Sequence, residues 1–124
     1  MRDNGTDRDV ALKLLDAVTT AAILVTTINQ HLYVATITTQ PTNQTGAIGD
    51  NAVFTIVADN VVAYQWQFKR PDSNWSNSTS SGYNTDTLTV EIQEARYGYY
   101  YRCRLTGKDG KYVFSDEVQI IPNS

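Results

Sequence analysis

The chain has 124 residues, 41% of them hydrophobic, and a formal net charge of −3, which suits one ordinary domain with a packed core. The charges form no long runs, which excludes the basic footprint that nucleic acids or anionic membranes require. A single cysteine, Cys103, excludes a disulfide within the chain, and no cysteine or histidine spacing is typical of a metal site. We therefore expect no cofactor, no metal and no nucleic-acid partner.

Residues 1–35 differ in composition from the rest of the chain. Part of this segment has roughly helical apolar spacing, which favours a short helix over 9–17 followed by extended chain, although the threonine-rich run over 18–28 is also typical of a strand. The segment is too apolar for a solvated tail, so we expect it to dock on a partner. The candidate docking residues are Leu14, Leu15, Val18, Ile23 and Val25.

The start of the chain lacks the features of a targeting or spanning segment. Residues 1–9 mix acidic and basic side chains, unlike the basic front of a secretory signal. The apolar stretch over 17–28 contains several threonines and is too short to cross a bilayer. We expect a protein that is made in a reducing cytoplasm, inserts into no membrane and stays there until it is exported or released.

From Thr36 onward, short runs that alternate apolar and polar residues are separated by turn residues, which indicates β-strands. An Asp-Gly turn at 109–110 predicts a hairpin. The predicted strands cover 36–40, 44–48, 52–58, 64–69, 87–92, 99–105 and 112–121, with a polar loop over 71–82 that holds at most one short edge strand. About seven short strands at regular spacing predict an all-β sandwich.

Several motifs of this region together resemble a known family. They are Ile37-Thr38-Thr39-Gln40-Pro41, Gly49-Asp50-Asn51-Ala52-Val53-Phe54, Tyr64-Gln65-Trp66-Gln67-Phe68, Tyr101-Arg102-Cys103 and Ser115-Asp116-Glu117-Val118. In combination they resemble the immunoglobulin-like domains of bacterial surface proteins and tailed bacteriophages over residues 36–121. The resemblance implies an immunoglobulin-like β-sandwich over 36–124 that serves adhesion or decoration.

The chain departs from that family pattern at two places. Phe54 stands where an antibody-type domain has its first cysteine, so the resemblance implies that Cys103 is an unpaired thiol packed near Trp66. The family pattern Asp-x-Gly-x-Tyr-x-Cys has its glycine two residues before the tyrosine, whereas Gly98 lies three residues before Tyr101. The resemblance therefore implies the fold but not the conformation of this turn.

Aromatic and cationic residues outside the predicted core are the candidate binding residues. Exposed tyrosine and tryptophan offer contact area at low entropic cost, and arginine is enriched at interface hot spots. The candidates are Trp75, Tyr83, Tyr97, Tyr100, Arg102 and Arg104, the two arginines on an outward stripe shared with Gln65, Gln67 and Lys69. The alternatives are that Trp75 covers the sandwich edge and that the stripe is a solvated face.

No residue pattern indicates catalysis. His31 is the sole histidine and lies far in sequence from Cys103, and no pair of carboxylates stands out. We therefore predict a non-enzymatic protein.

The leading hypothesis is a structural or decoration protein of a tailed-bacteriophage virion. Residues 1–35 would dock on a capsid or tail protein after assembly in the host cytoplasm. The displayed sandwich would attach weakly to a host surface protein or glycan, with carbohydrate binding and homo-oligomer formation both compatible. The alternatives are a bacterial immunoglobulin-like interaction module that pairs through an edge strand, such as an adhesin or chaperone, and an accessory domain of an enzyme.

Overall fold

The computed structural model describes residues 33–123, and residues 34–123 belong to one compact unit. The predicted helix over 9–17 and the docking residues Leu14, Leu15, Val18, Ile23 and Val25 lie outside the described residues. The described part contains no helix that is long and apolar enough to cross a membrane.

The described chain is built from ten strands and one short 3-10 helix. The strands are β1 (Thr36–Thr39), β2 (Gln44–Gly46), β3 (Asn51–Thr55), β4 (Val57–Asp59), β5 (Val61–Lys69), β6 (Ser76–Asn77), β7 (Thr87–Glu91), β8 (Tyr100–Gly107), β9 (Tyr112–Phe114) and β10 (Val118–Pro122), and the 3-10 helix covers Glu94–Gly98. The predicted all-β sandwich is confirmed.

The strands form one large sheet and two ribbons. The six-stranded sheet has the order β2-β10-β8-β5-β6, with β9 paired to β8, and β1-β4 and β3-β7 are two-stranded. β5 and β8 are the longest strands and pair antiparallel along almost their whole length, from Val61↔Gly107 to Lys69↔Tyr100. This central pair sets the positions of the side chains on both faces of the large sheet.

The core lies between the inner face of the large sheet and the β3-β7 ribbon. Trp66, Phe54 and Cys103 are all 0% exposed, and Trp66 lies directly opposite Cys103 in the β5-β8 ladder. The Phe54 ring lies 6.3 Å from the Trp66 ring and 5.2 Å from the Tyr101 ring. Phe54 therefore fills the space where the family resemblance places a first cysteine, and Cys103 packs near Trp66 as expected.

Trp66 also has a polar role in this core. Its indole Nε1 donates a hydrogen bond of 2.8 Å to the carbonyl oxygen of Thr85, so the ring is buried without an unsatisfied donor.

The count of about seven strands is wrong, because two predicted strands are each divided and a short edge strand is added. The run over 52–58 breaks at Ile56, because the residues before it pair with β7 and Val57–Asp59 pairs with β1 instead. The run over 112–121 breaks at Ser115, whose Oγ accepts the Cys103 amide at 2.8 Å and donates to Asp116 O at 2.9 Å. Side-chain hydrogen bonds to nearby backbone bend a strand in this way.

Strand β10 pairs in two directions. It runs antiparallel to β8 through Val118↔Tyr101 and parallel to β2 through Ile120↔Gln44, Ile121↔Thr45 and Pro122↔Gly46. The predicted strand over 112–121 ends one residue too early, because Pro122 still lies in the ladder beside β2.

Candidate functional site

The outward face of the large sheet carries a cluster of aromatic and cationic side chains. Alternation along β5 and β8 sends Trp66 and Cys103 into the core and Gln67 and Arg102, which also lie opposite each other, to the other face. We call this cluster the outward platform. It consists of Lys69, Trp75, Arg102, Arg104, Tyr112 and Phe114.

Arg102 lies at the centre of the outward platform, between two aromatic rings. Its guanidinium carbon is 4.2 Å from the centroid of Trp75 and 4.1 Å from that of Phe114. Each distance is within the range of a strong cation–π contact, about 6 Å. Partial burial lowers the pKa of Arg102, and the charge of Glu117 acts in the opposite direction.

A chain of side-chain hydrogen bonds fixes the orientation of Arg102. Its Nε donates to Gln67 Oε1 at 2.9 Å, and Gln67 Nε2 donates to Asn77 Oδ1 at 3.0 Å. Gln67 is only 8% exposed although it lies on the outward face, because the platform covers it. The guanidinium is thus held in place before any partner binds, which reduces the entropy lost on binding.

Arg104 makes a similar cation–π contact on the same face of the sheet. The guanidinium carbon of Arg104 lies 4.3 Å from the centroid of Tyr112. Its Nε is buried and has no hydrogen-bond partner among the described residues. Lys69 Nζ completes the cluster at 5.9 Å from the Trp75 ring and 5.8 Å from the Tyr100 ring.

The platform is cationic, aromatic and accessible. Tyr112 is 57% exposed and Phe114 43%. Such a surface can stack on flat or apolar faces of a ligand while its N–H groups donate to oxygen acceptors. This combination suits sugar rings and protein surfaces alike.

The structure brings together four of the six predicted binding residues. Trp75, Arg102 and Arg104 belong to the platform, and Tyr100 borders it through Lys69. Tyr97 lies elsewhere: it is half-buried, and its hydroxyl donates to Gly46 O at 2.9 Å, which ties the 3-10 helix to β2. Tyr83 is 38% exposed, and no aromatic or cation–π contact joins its ring to the other described residues.

Sequence reasoning missed Tyr112, Phe114 and Asn77. The sequence did contain a signal for Tyr112 and Phe114. The Asp-Gly turn predicts a hairpin that places Phe114 opposite Arg104, so that Phe114 and Tyr112, two residues apart, lie on the same face as Arg104. Asn77 gave no such signal, because β6 has only two residues within a polar loop.

The single thiol of the chain is not suited to nucleophilic chemistry. Burial raises the pKa of Cys103 from 9.0 to about 12. The thiol is therefore protonated at neutral pH, and a reactive cysteine must be a thiolate. Among residues 33–123, no group of three or more His, Cys, Asp or Glu side chains could hold a metal ion.

No family model matches this chain. The chain is 33% identical over 89 residues to a Vibrio cholerae protein named chemotaxis protein methyltransferase 1, and this match covers 69% of the chain and 32% of that protein. The chain thus spans about a third of the length of the curated relative that it matches. The prediction that the protein is not an enzyme is contradicted by this similarity to a protein named as one.

Proposed function

We propose that the protein is a recognition component of a tailed-bacteriophage virion that attaches weakly to a host surface protein or glycan through the outward platform. The observation that carries the proposal is the arrangement of Arg102, clamped between Trp75 and Phe114 and fixed through Gln67. A purely solvated face has no need of a partly buried cation held in one orientation. The virion setting rests on the resemblance to immunoglobulin-like phage and surface domains.

Under this proposal residues 1–35 dock on a capsid or tail protein and the sandwich is displayed outward. The platform supports weak, reversible contacts, since its aromatic rings supply area at low entropic cost and its guanidinium groups supply directed donors. Many displayed copies on one particle would raise the total avidity well above that of one site.

The test is binding of the labelled full chain to host cells and to a printed glycan array. We expect Arg102→Ala and Phe114→Ala to reduce binding about tenfold or more, as loss of an interface hot spot does. Tyr83→Ala is the matched control, because it removes an exposed aromatic side chain that lies off the platform. Unchanged binding of both platform variants would refute this site, and absence of the chain from purified particles by mass spectrometry would refute the virion setting.

A second candidate is favoured by the match to the protein named chemotaxis protein methyltransferase 1. We propose as the alternative that the sandwich is a bacterial immunoglobulin-like module that serves a methyltransferase-related protein, with the platform contacting protein rather than glycan. Capture of proteins from a bacterial extract by the immobilised full chain, with Arg102→Ala as the control, tests this. A chemotaxis protein identified by mass spectrometry on the wild type and lost from Arg102→Ala would support the alternative, and the absence of any such protein would exclude it.

A further inference from the structure

A groove on the other side of the large sheet has a chemistry of its own. A cavity of about 290 Å³ is bordered by Phe68 and Tyr101, whose neighbours along β5 and β8 face the outward platform. Alternation therefore places this groove on the inner side of the sheet, at the end of the sandwich near the 3-10 helix. The outward platform and the groove do not share a side chain.

The polar lining of the groove is cationic and rich in hydroxyls. Arg70 and Arg96 line it together with the consecutive residues Ser78, Thr79 and Ser80. The amide of Gln93 is also at its wall, and no acidic side chain is among the described residues that line it. A site with two guanidinium groups and no opposing carboxylate favours an anionic ligand.

A hydrogen bond to the backbone holds the Arg96 side chain in place. One of its terminal nitrogens, Nη1, donates to Glu91 O at 2.6 Å, which leaves other N–H groups of the guanidinium for a ligand. The guanidinium carbon of Arg70 lies 5.9 Å from the centroid of the Tyr99 ring. The charge of Arg96 also acts on the hydroxyl of Tyr101, whose pKa it lowers against the larger effect of burial.

The groove also has an apolar wall. The rings of Phe68 and Tyr99 stack at 5.8 Å with an interplanar angle of 17°. Aromatic faces beside hydroxyl and amide donors match a sugar ring, which is apolar on its faces and polar at its edge. A simple inorganic anion would make no use of this wall.

A second cavity adjoins the first. It has a volume of about 320 Å³, shares Phe68 and Arg70 with the first cavity, and is lined further by Ser73, Asn74 and Ser76. Arg70 therefore borders both spaces. Their sizes, each near the lower limit for a ligand pocket of about 300 Å³, suit a ligand with more than one small ring.

We propose that this groove binds an acidic saccharide, with a carboxylate between Arg70 and Arg96 and a ring against Phe68 and Tyr99. The site goes beyond the attachment proposed for the outward platform and does not depend on it. The hydroxyls of Ser78, Thr79 and Ser80 and the amide of Gln93 bind the sugar hydroxyls.

The test uses the full chain, isothermal calorimetry and three probes. The probes are digalacturonate, its neutral methyl ester and inorganic phosphate, so that charge and sugar are separated. We expect digalacturonate to bind at least about tenfold more tightly than either the ester or phosphate, because only it offers both the carboxylate and the ring. Equally tight binding of phosphate would show a simple anion site, and equally tight binding of the ester would show that the groove does not recognise the carboxylate charge. The absence of digalacturonate binding below ~10 mM would show that the groove is not a saccharide site. Each of these three results overturns the proposal.

Two variants locate the site. Arg70→Gln and Arg96→Gln should each weaken digalacturonate binding about tenfold, whereas Arg102→Gln, on the outward platform, should leave it unchanged. Since Arg96 also supports Glu91 O, unfolding of Arg96→Gln is checked by melting temperature, and Arg70, which is exposed, provides the independent test. Wild-type affinity in Arg70→Gln would overturn the proposal whatever the second variant does. A groove variant that loses digalacturonate binding but still attaches to cells shows that the groove and the outward platform are separate sites. A platform variant that loses cell attachment but still binds digalacturonate shows the same.

Discussion

The two tryptophans of the chain lie on opposite faces of one sheet and have different roles. Trp66 is 0% exposed, touches Phe54 and donates to Thr85 O, whereas Trp75 lies in a loop before β6 and covers Arg102. The same residue type thus stabilises the core in one place and shapes a surface in the other. Only the alternation of its neighbours separates the two roles in the sequence.

This difference gives a prediction at the residue scale. Trp66→Ala should lower the free energy of unfolding by about 3–5 kcal/mol, because it leaves a cavity and removes the bond to Thr85. Trp75→Ala should lower it by less than about 1 kcal/mol, since only surface stacking is lost. Urea denaturation followed by circular dichroism measures both, and equal losses would contradict the assignment of one residue to the core and the other to the surface.

Two glycines with the same backbone conformation provide a prediction at the scale of turns and strands. Gly82 and Gly110 both have φ +81, in the left-handed region that side chains disfavour. A Cβ on Gly110 would meet nothing within 4 Å, whereas a Cβ on Gly82 would overlap the carbonyl oxygen of Thr87. The turn before β7 is therefore closed to any side chain, and the β8-β9 hairpin is not.

We expect Gly110→Ala to cost about 1 kcal/mol of stability, the ordinary penalty for positive φ. Gly82→Ala should cost at least about twice as much, because the backbone of β7 must also move. Chemical denaturation of the two variants beside the wild type measures the difference. If both variants lost the same amount, the close approach of the two chain segments at Gly82 would be disproved.

The strands and the core could largely be predicted from sequence, and the sites only in part. Period-2 alternation at Trp66 and Cys103 identified the buried face, because burial follows side-chain parity. The breaks at Ile56 and Ser115 could not be predicted, since the first depends on a change of pairing partner from β7 to β1 and the second on a hydrogen bond to Cys103. Arg70 and Arg96 gave no signal for the same reason: they are 26 positions apart and meet only through the fold.

At the scale of the whole molecule, the buried titratable groups set the pH dependence of stability. Burial raises the pKa of Cys103 from 9.0 to about 12 and that of Tyr101 from 10.0 to about 12. Above pH 9 the unfolded chain loses the thiol proton while the folded chain keeps it, so stability falls with rising pH. Below pH 9 neither group contributes a change.

We expect the free energy of unfolding to fall above pH 9 by up to about 1.4 kcal/mol per pH unit from Cys103, with Tyr101 adding to the slope above pH 10. Cys103→Ala should delay the fall until about pH 10. Urea titrations at half-unit steps from pH 7 to 10.5 measure the slopes. A stability that stays level up to pH 10.5 would contradict the burial of both groups.

The apolar residues before the sandwich lead to a second prediction for the whole molecule. We expect the full chain to associate and a fragment beginning at Val34 to be monomeric, because Leu14, Leu15 and Val18 belong to a segment predicted to dock. Size-exclusion chromatography with light scattering compares the two. If both are monomeric and equally stable, residues 1–35 are not a docking segment, and the proposed attachment of the chain to a capsid or tail protein loses its support.

The parallel ladder between β2 and β10 has a mechanical consequence. Gln44–Gly46 enters the sheet near one end of the described chain, and Ile120–Pro122 leaves it at the other. Because the two strands run in the same direction, tension applied between Val34 and Asn123 pulls them past each other lengthwise. Their hydrogen bonds, with the Asn123 amide to Gly46 O at 3.2 Å, then share the load in shear instead of opening one at a time. For this ladder to separate under tension along the chain, its hydrogen bonds must therefore break together and not in succession.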